Sequence, residues 1–565
     1  MKKILSILSA ALMLASCNFL DFDETSGLYD RDDMYTTYSN IQKMLTNVYG
    51  YMPNKDIVAV SDAMRDCGSD DAEFGDPSAS VQRFNNGNWS AVQTVDTQWS
   101  LYNGIRSANE FLESIQTVDI SIYRYDAKYN QYLEHIAIYP YEARLLRAYY
   151  FFELARRYGD IAMPLKMLST EEANTIAKTP FDDVIDFIAE ECDTCAKHLP
   201  LTFDGLLDSE YGRVTKGFAM AVKAKALLYA ASPLHTSMDD AVTKAAKWEK
   251  AALAAQDIMD LNYYSLDPVD PVNTQGTSPE VILQIMRSAS SSFEKYNFPV
   301  RFTYGTRTYM SGTYPTQNLV DAFQTLGGYD IILTDDGWDT DDPTFDKTKP
   351  YEGRDPRFAR TILADGMKFK DYYTIETFVG GADYSATRAD LGTPTGYYLK
   401  RYIIEDTDFT PEAEVTAKHS WIVYRYAEAI LSYAEATFEC FKDPDKTSAK
   451  LKMSARDALN LIRANAGMPD VTVTSEADFR KALRQEWRVE FAFEDHRFWD
   501  VRRWQIGPES QKVINGVQIV KGVEKKEYSL MLVENRTWAE KMYLYPIPQS
   551  ELFCNTNLGP QNPGW

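Results

Sequence analysis

The stretch Tyr141–Pro164 reads YEARLLRAYYFFELARRYGDIAMP. Aromatic and arginine side chains crowd into roughly six turns at about 3.6 residues per turn. Leu145, Ala148, Tyr149, Phe152 and Ala155 recur at three- and four-residue steps, so they share one face of a helix. Aromatics beside arginines have three readings: a sugar-binding surface, a nucleic-acid platform, or packed core. The sequence around the stretch has to decide between them.

The same periodicity runs outward from about residue 33 to 260. Lys216–Ala231 is an alanine-rich helix ended by Ser232-Pro233, and Ala245–Leu261 reads as another. Long helices joined by short turns, with no strand pattern between them, imply stacked helical hairpins that bury their faces only against neighbours. No clean 34-residue period is present, so any repeat is degenerate. From about 288 to 402 the helical pattern fails. That segment holds 11 of the 28 glycines and reads as long loops and short strands. Helices are expected again over 414–440, 451–466 and 475–500. The tail, YLYPIPQSELFCNTNLGPQNPGW, reads as an extended strap. The fold class is therefore all-α dominated, with a loop-rich, irregular subdomain. Loops on a rigid scaffold are where binding function concentrates.

The net charge of −23 over 565 residues argues against a nucleic-acid partner, which needs clustered lysine and arginine. The first residues, MKKILSILSAALMLASC, join a positive start to a 13-residue apolar stretch, Ile4 to Ser16. That is too short to span a bilayer and has the form of a secretory signal. Leu14–Cys17, LASC, resembles a bacterial lipobox, which makes Cys17 the lipidated first residue of the mature chain. The acyl chains then hold the protein on a membrane. The other five cysteines are too sparse for a disulfide scaffold. Cys192 and Cys195 have redox spacing but no βαβ context, so both are read as helix-packing residues.

A second dense segment, Phe479–Trp504, reads FRKALRQEWRVEFAFEDHRFWDVRRW. Glu486, Glu490 and Glu494 stack at four-residue steps, and like charges there repel in an isolated helix. Such a stripe calls for partners elsewhere in the fold; Arg144 and Arg147 are the candidates. The functional alternative is a glycosidase-like pair, Glu490 with Glu494. Carboxylates on one helix face cannot easily flank a sugar, so the structural reading is preferred.

These segments together resemble the SusD/RagB family of glycan-capturing outer-membrane lipoproteins. The likeness includes the lipobox, TQWSLYNGIRSANEFLE (97–113), RAYYFFELARRYGDIAMP, ASPLH (231–235), YEGRDPRFARTIL (351–363), EWRVEFAFEDHRFWDVRRW and the closing YPIPQSEL…NPGW. The resemblance spans the chain. It implies a body of about four tetratricopeptide-like helix pairs, no catalytic activity, no cofactor, and a SusC-type TonB-dependent β-barrel partner. It implies a lipid-anchored place on the outer membrane, exposed at the cell surface. The expected organisation is a signal peptide (1–16), a lipidated tether (17–30), a helical scaffold (31–287), a loop-rich ligand-binding region (288–402), completing helices (403–510) and the strap (511–565). A stretch common to a family cannot encode glycan specificity that varies among its members. Tyr141–Pro164 is accordingly scaffold.

Sugar capture needs flat aromatic faces with polar groups around them. Aromatics in loops are therefore the candidates: Trp89 with Arg83 and Asn88; Trp338 in the acidic turn TDDGWDTDD; and Tyr304, Tyr309 and Tyr314 with Arg307. The bland alternative for each is a cap over a hydrophobic cluster. Trp99 and Tyr102 are expected to pack inside, although in relatives the start of their helix lies near the binding region. Asp335, Asp336, Asp339, Asp341 and Asp342 lack the glycine of an EF-hand loop and read as a solvated turn, with no metal assigned. Two rival functions are a glycoside hydrolase on a helical body and a peptide- or protein-binding helical scaffold.

Overall fold

The computed structural model describes residues 35–53, 59–61, 63–204, 211–273, 278–303, 312–384, 392–410, 412–511 and 513–565. Cys17, Tyr304, Arg307 and Tyr309 lie outside them. The long helices are α1 (Tyr38–Tyr49), α2 (Leu101–Ser114), α3 (Tyr129–Tyr158), α4 (Phe181–His198), α5 (Lys216–Ala231), α6 (Ala241–Asp260), α7 (Tyr426–Phe441), α8 (Ala455–Asn465), α9 (Glu476–Glu490) and the shorter α10 (Arg497–Arg503). From α1 to α9 each packs on the next in chain order. The pairs α2/α3, α4/α5, α6/α7 and α8/α9 make the tetratricopeptide-like body. α5 can be flanked on both sides because it is alanine-rich: Ala219, Ala221, Ala224 and Ala226 are fully buried, and small side chains let α4 and α6 approach. Thr215 caps its start by accepting from the Phe218 N–H.

The third pair closes over a long excursion, since α6 ends at Asp260 and α7 begins at Tyr426. Among the described residues, strands of four residues or more are β1 (Val281–Met286), β2 (Ile331–Thr334), β3 (Gly337–Thr340), β4 (Ser420–Arg425), β5 (Val513–Lys521) and β6 (Lys526–Asn535). β1 pairs antiparallel with β4, Ile285 opposite Trp421, and so staples the base of the excursion. The helix expected from residue 414 therefore begins later. Ser420–Arg425 reads SWIVYR, a β-branched and aromatic run that suits a pleated surface. The strap also holds more than the sequence reading gave it: β5 and β6 form a hairpin. Beyond it the tail ties back to α3. The Tyr545 N–H donates to the Arg157 carbonyl (2.7 Å), and the Asn562 amide donates to the Tyr158 carbonyl (2.9 Å).

The opening stretch is core. Tyr150, Phe151 and Phe152 are at most 1% exposed. Arg156 and Arg157 turn inward with Arg65, and all three guanidiniums face the buried Trp499 ring at 4.1, 4.9 and 5.1 Å from its centroid. Glu153 accepts from both helix arginines, 2.6 Å from Arg156 and 2.8 Å from Arg157. Arg144 and Arg147, the expected partners of the glutamate stripe, instead grip Glu191 on α4. They lie on the α4 side of the helix, where α9 does not reach.

The stripe finds its cations in the excursion, at its base and on α8. Arg357 donates to Glu486 (2.5 Å) and Glu490 (2.8 Å), and Arg463 donates to Glu486 (3.0 Å). Arg425 reaches Glu490 (2.7 Å), Glu494 (2.8 Å) and Glu280 (2.6 Å), while Arg401 pairs with Glu494. The single helix expected over 475–500 is broken. Phe493 and Asp495 take left-handed φ of 65° and 63°, and the turn swings Glu494 off α9 toward Arg425. Burial alone pushes the Glu490 carboxyl up, but Arg425 and Arg357 outweigh it and hold it at about 2. Cys192 and Cys195 are buried in α4, where burial pushes the Cys195 thiol up to about 12.

Candidate functional site

The start of α2 is the candidate site. The loop before it is fixed from below. The Asp96 side chain is fully buried, and its carboxylate accepts from Arg65 Nε (3.1 Å), Arg157 Nη2 (3.1 Å), the Tyr545 hydroxyl (3.0 Å) and the Gln98 amide (3.1 Å). Burial works against its ionisation. Arg157 and Arg65 reverse that and hold it well below the usual carboxylate range. The backbone is pinned as well: Arg157 Nε donates to the Asp96 carbonyl (3.1 Å) and the Tyr158 hydroxyl to the Thr97 carbonyl (2.7 Å).

Above this anchor lies an open groove of about 460 Å³. Its walls include Ser61, Ser80, Arg83, Gln98 and Ser100. Ser61 and Ser80 are 2.9 Å apart through their hydroxyls, and Arg83 donates to the Thr94 carbonyl (3.1 Å). Ser61, Asp96 and Gln98, all lining it, take φ of 57°, 49° and 48°. Non-glycine residues in the left-handed region carry strain, which persists only where surroundings impose it and collects at binding sites. For Asp96 and Gln98 the imposing group is the Asp96 network. On the other side of the helix start, Trp99, Tyr102 and Arg106 line a recess of about 260 Å³. The two rings are half-buried, with centroids 5.0 Å apart, and Arg106 is exposed. Hydroxyls, an amide and a guanidinium on one side, and half-open aromatic rings on the other, suit a polyhydroxylated ligand with apolar ring faces.

The residues expected to contact sugar fare differently. Arg83 lines the groove. Asn88 is exposed in the turn after it, where its N–H donates to the Asn86 side chain (3.0 Å). Trp89 is corrected: it is 1% exposed, enclosed edge-on by Phe84, Tyr545 and Trp565 at 4.7–4.9 Å. The C-terminal tail covers it. Trp338 is likewise buried, with Tyr351 and Tyr528 against it at 5.9 and 6.3 Å and Arg354 over its ring. Tyr314 is 2% exposed in a short strand paired with Ala72–Phe74. None of these three rings offers a face to a ligand. Trp99 and Tyr102, expected inside, are the aromatic pair left half-open. The signal that marks them is their place at a helix start, next to a loop rich in hydroxyl and amide side chains.

Glu490 and Glu494, the alternative catalytic pair, are both held by Arg425 inside the core. The Glu490 carboxyl, kept at about 2, cannot serve as a general acid near neutral pH, and both glutamates are buried.

Residues 279–565 match the SusD family, residues 18–228 the family described as starch-binding associating with outer membrane, and residues 1–18 the prokaryotic membrane lipoprotein lipid attachment site. The chain is 24% identical over 435 residues to SusD-like protein P2 of Formosa agariphila, covering 75% of this chain and 73% of that one. A SusD-like protein of Bacteroides fragilis has a crystal structure similar to this one. It is 26% identical, covers 96% of this chain and 99% of its own, and gives a TM-score of 0.75. A SusD-like carbohydrate binding protein of the same species shares the fold at 24% identity and a TM-score of 0.73, covering 93% of this chain and all of its own. With matches that run from the attachment site to the last residue, this chain belongs to the SusD family.

Proposed function

We propose that the protein is a non-catalytic, lipid-anchored glycan-binding protein of the outer membrane. It captures oligosaccharides at the cell surface and delivers them to a SusC-type TonB-dependent transporter. Cys17 carries the lipid. The observation that carries the reading is the start of α2, where a polar groove and a half-open aromatic pair flank one rigid turn. The carbohydrate-binding relative from Bacteroides fragilis, of the same fold, is consistent with it. The locking of Glu490 and Glu494 by Arg425 supports binding without turnover.

Calorimetry against laminarin, starch, xylan, inulin and mannan tests the capture step. Binding to at least one, lost in a Trp99→Ala/Arg83→Ala variant of unchanged helicity, is expected. Release of reducing sugar by the purified protein would overturn the non-catalytic reading. Delivery is tested by purifying the lipidated protein from outer membranes in mild detergent. A TonB-dependent barrel in the same complex is expected, and a protein recovered alone would count against the partnership.

A further inference from the structure

The hairpin that carries Trp338 leaves a feature the α2 site does not use. Its turn, Asp335-Asp336, projects both side chains into solvent, and among the described residues neither is in an ion pair. Facing it is the β5–β6 hairpin of the C-terminal segment, which presents Lys525 and Lys526 at its turn and Tyr528 and Ser529 along β6. Between the two hairpins lies a cleft of about 500 Å³, lined also by Lys347 and Thr348. Its floor is the buried Trp338, whose indole N–H has no hydrogen-bond partner. Stranding a buried donor is costly, and this one belongs to a ring that lines an open cleft. Tyr528 is half-buried and meets Trp338 and Tyr351 at steep angles of 63° and 84°, so it stands as a fixed ring in the wall.

We propose that this cleft is a second saccharide subsite, one that takes an internal segment of a polysaccharide about two rings long. Tyr528 supplies the ring wall against the apolar C–H face of a sugar. Asp335 and Asp336 accept from vicinal hydroxyls, and Lys525 and Ser529 donate from the opposite lip. The cleft and the α2 site share no lining residue, so a chain long enough to reach both would engage two sites, whereas a short oligosaccharide fills only one. Two engaged sites raise the apparent affinity for the polymer without new contacts at either. The inference rests on the glycan reading above.

The test uses whichever of the five polysaccharides binds the wild-type protein, with its trisaccharide as the short probe. Tyr528→Ala, and independently Ser529→Trp, which puts a bulky ring at a residue lining the cleft, are measured by calorimetry with the melting temperature recorded alongside. The expected result is an affinity for the polysaccharide at least about tenfold lower in both variants, within the avidity range of linked sites. Affinity for the trisaccharide changes less than about twofold. Asp335→Ala/Asp336→Ala, at exposed positions, is expected to follow the same pattern and guards against a folding defect at Tyr528. Unchanged polymer affinity in all three variants would overturn the second subsite and leave the α2 site standing. Equal losses for polymer and trisaccharide would overturn it too, by making the cleft the only site. A wild-type protein that binds none of the polysaccharides overturns the glycan reading and this inference with it.

Discussion

Replacing Arg425 with methionine tests the claim that a buried charge network joins the loop-rich excursion to the scaffold. Arg425 is 1% exposed. Its guanidinium donates to Glu280, Glu490 and Glu494 and to the Glu490 carbonyl at 2.6–3.0 Å. In the variant Glu490 keeps Arg357 and Glu494 keeps Arg401, but Glu280 loses the arginine that neutralises it. Breaking a buried pair from one side costs about 3–5 kcal/mol, because the remaining charge is uncompensated. The sign of the pH dependence follows. Burial already holds the Glu280 carboxyl above its ordinary range, against the pull of Arg425. Without Arg425 it rises further. A carboxyl raised in the folded state costs stability above its unfolded value and returns that stability as pH falls toward it. The deficit of the variant should therefore be smaller at pH 5 than at pH 7.5. Urea denaturation of both proteins at the two pH values, followed by circular dichroism, measures this. A deficit below about 1 kcal/mol, or one of equal size at both pH values, would refute the reasoning and assign Arg425 a packing role.

Three further outcomes are expected. Trp89→Ala should lower stability by about 3–5 kcal/mol, as a buried large-to-small change does, and leave glycan affinity within twofold as long as the protein is folded; a thermal melt and calorimetry on one preparation check both. Arg83→Ala should do the reverse, weakening glycan binding about tenfold, the equivalent of about 1.4 kcal/mol, with an unshifted melt. On acidification the wild type should hold until the depressed carboxyls begin to protonate. Glu490 and Glu428, both held at about 2, contribute stability that is complete above about pH 4.5 and is lost as pH falls toward 2, so the acid unfolding midpoint should fall inside that window.

The sequence by itself determined the scaffold. The helical period around Tyr141–Pro164, the alanine-rich α5 with its Ser232-Pro233 stop, and the unpartnered stripe of Glu486, Glu490 and Glu494 are local patterns, and local patterns set helices and announce the need for partners. They do not say which partner arrives. Arg357, Arg401 and Arg425 are 60 to 140 residues from the glutamates they meet, and nothing in their own neighbourhoods distinguishes them from Arg144 or Arg147. SWIVYR sits next to a helix in sequence and was drawn into that helix's period; pairing with β1, some 140 residues upstream, made it a strand. Burial of loop aromatics was decided in the same way. Trp89 and Trp338 stand among Asn, Gly, Ser and Asp, as solvent-facing residues do. Tyr545 and Trp565 cover the first, and Tyr528 packs against the second. Exposure is a property of what the rest of the chain lays over a residue, and for both rings part of that cover comes from the C-terminal segment, about 190 residues or more away in sequence.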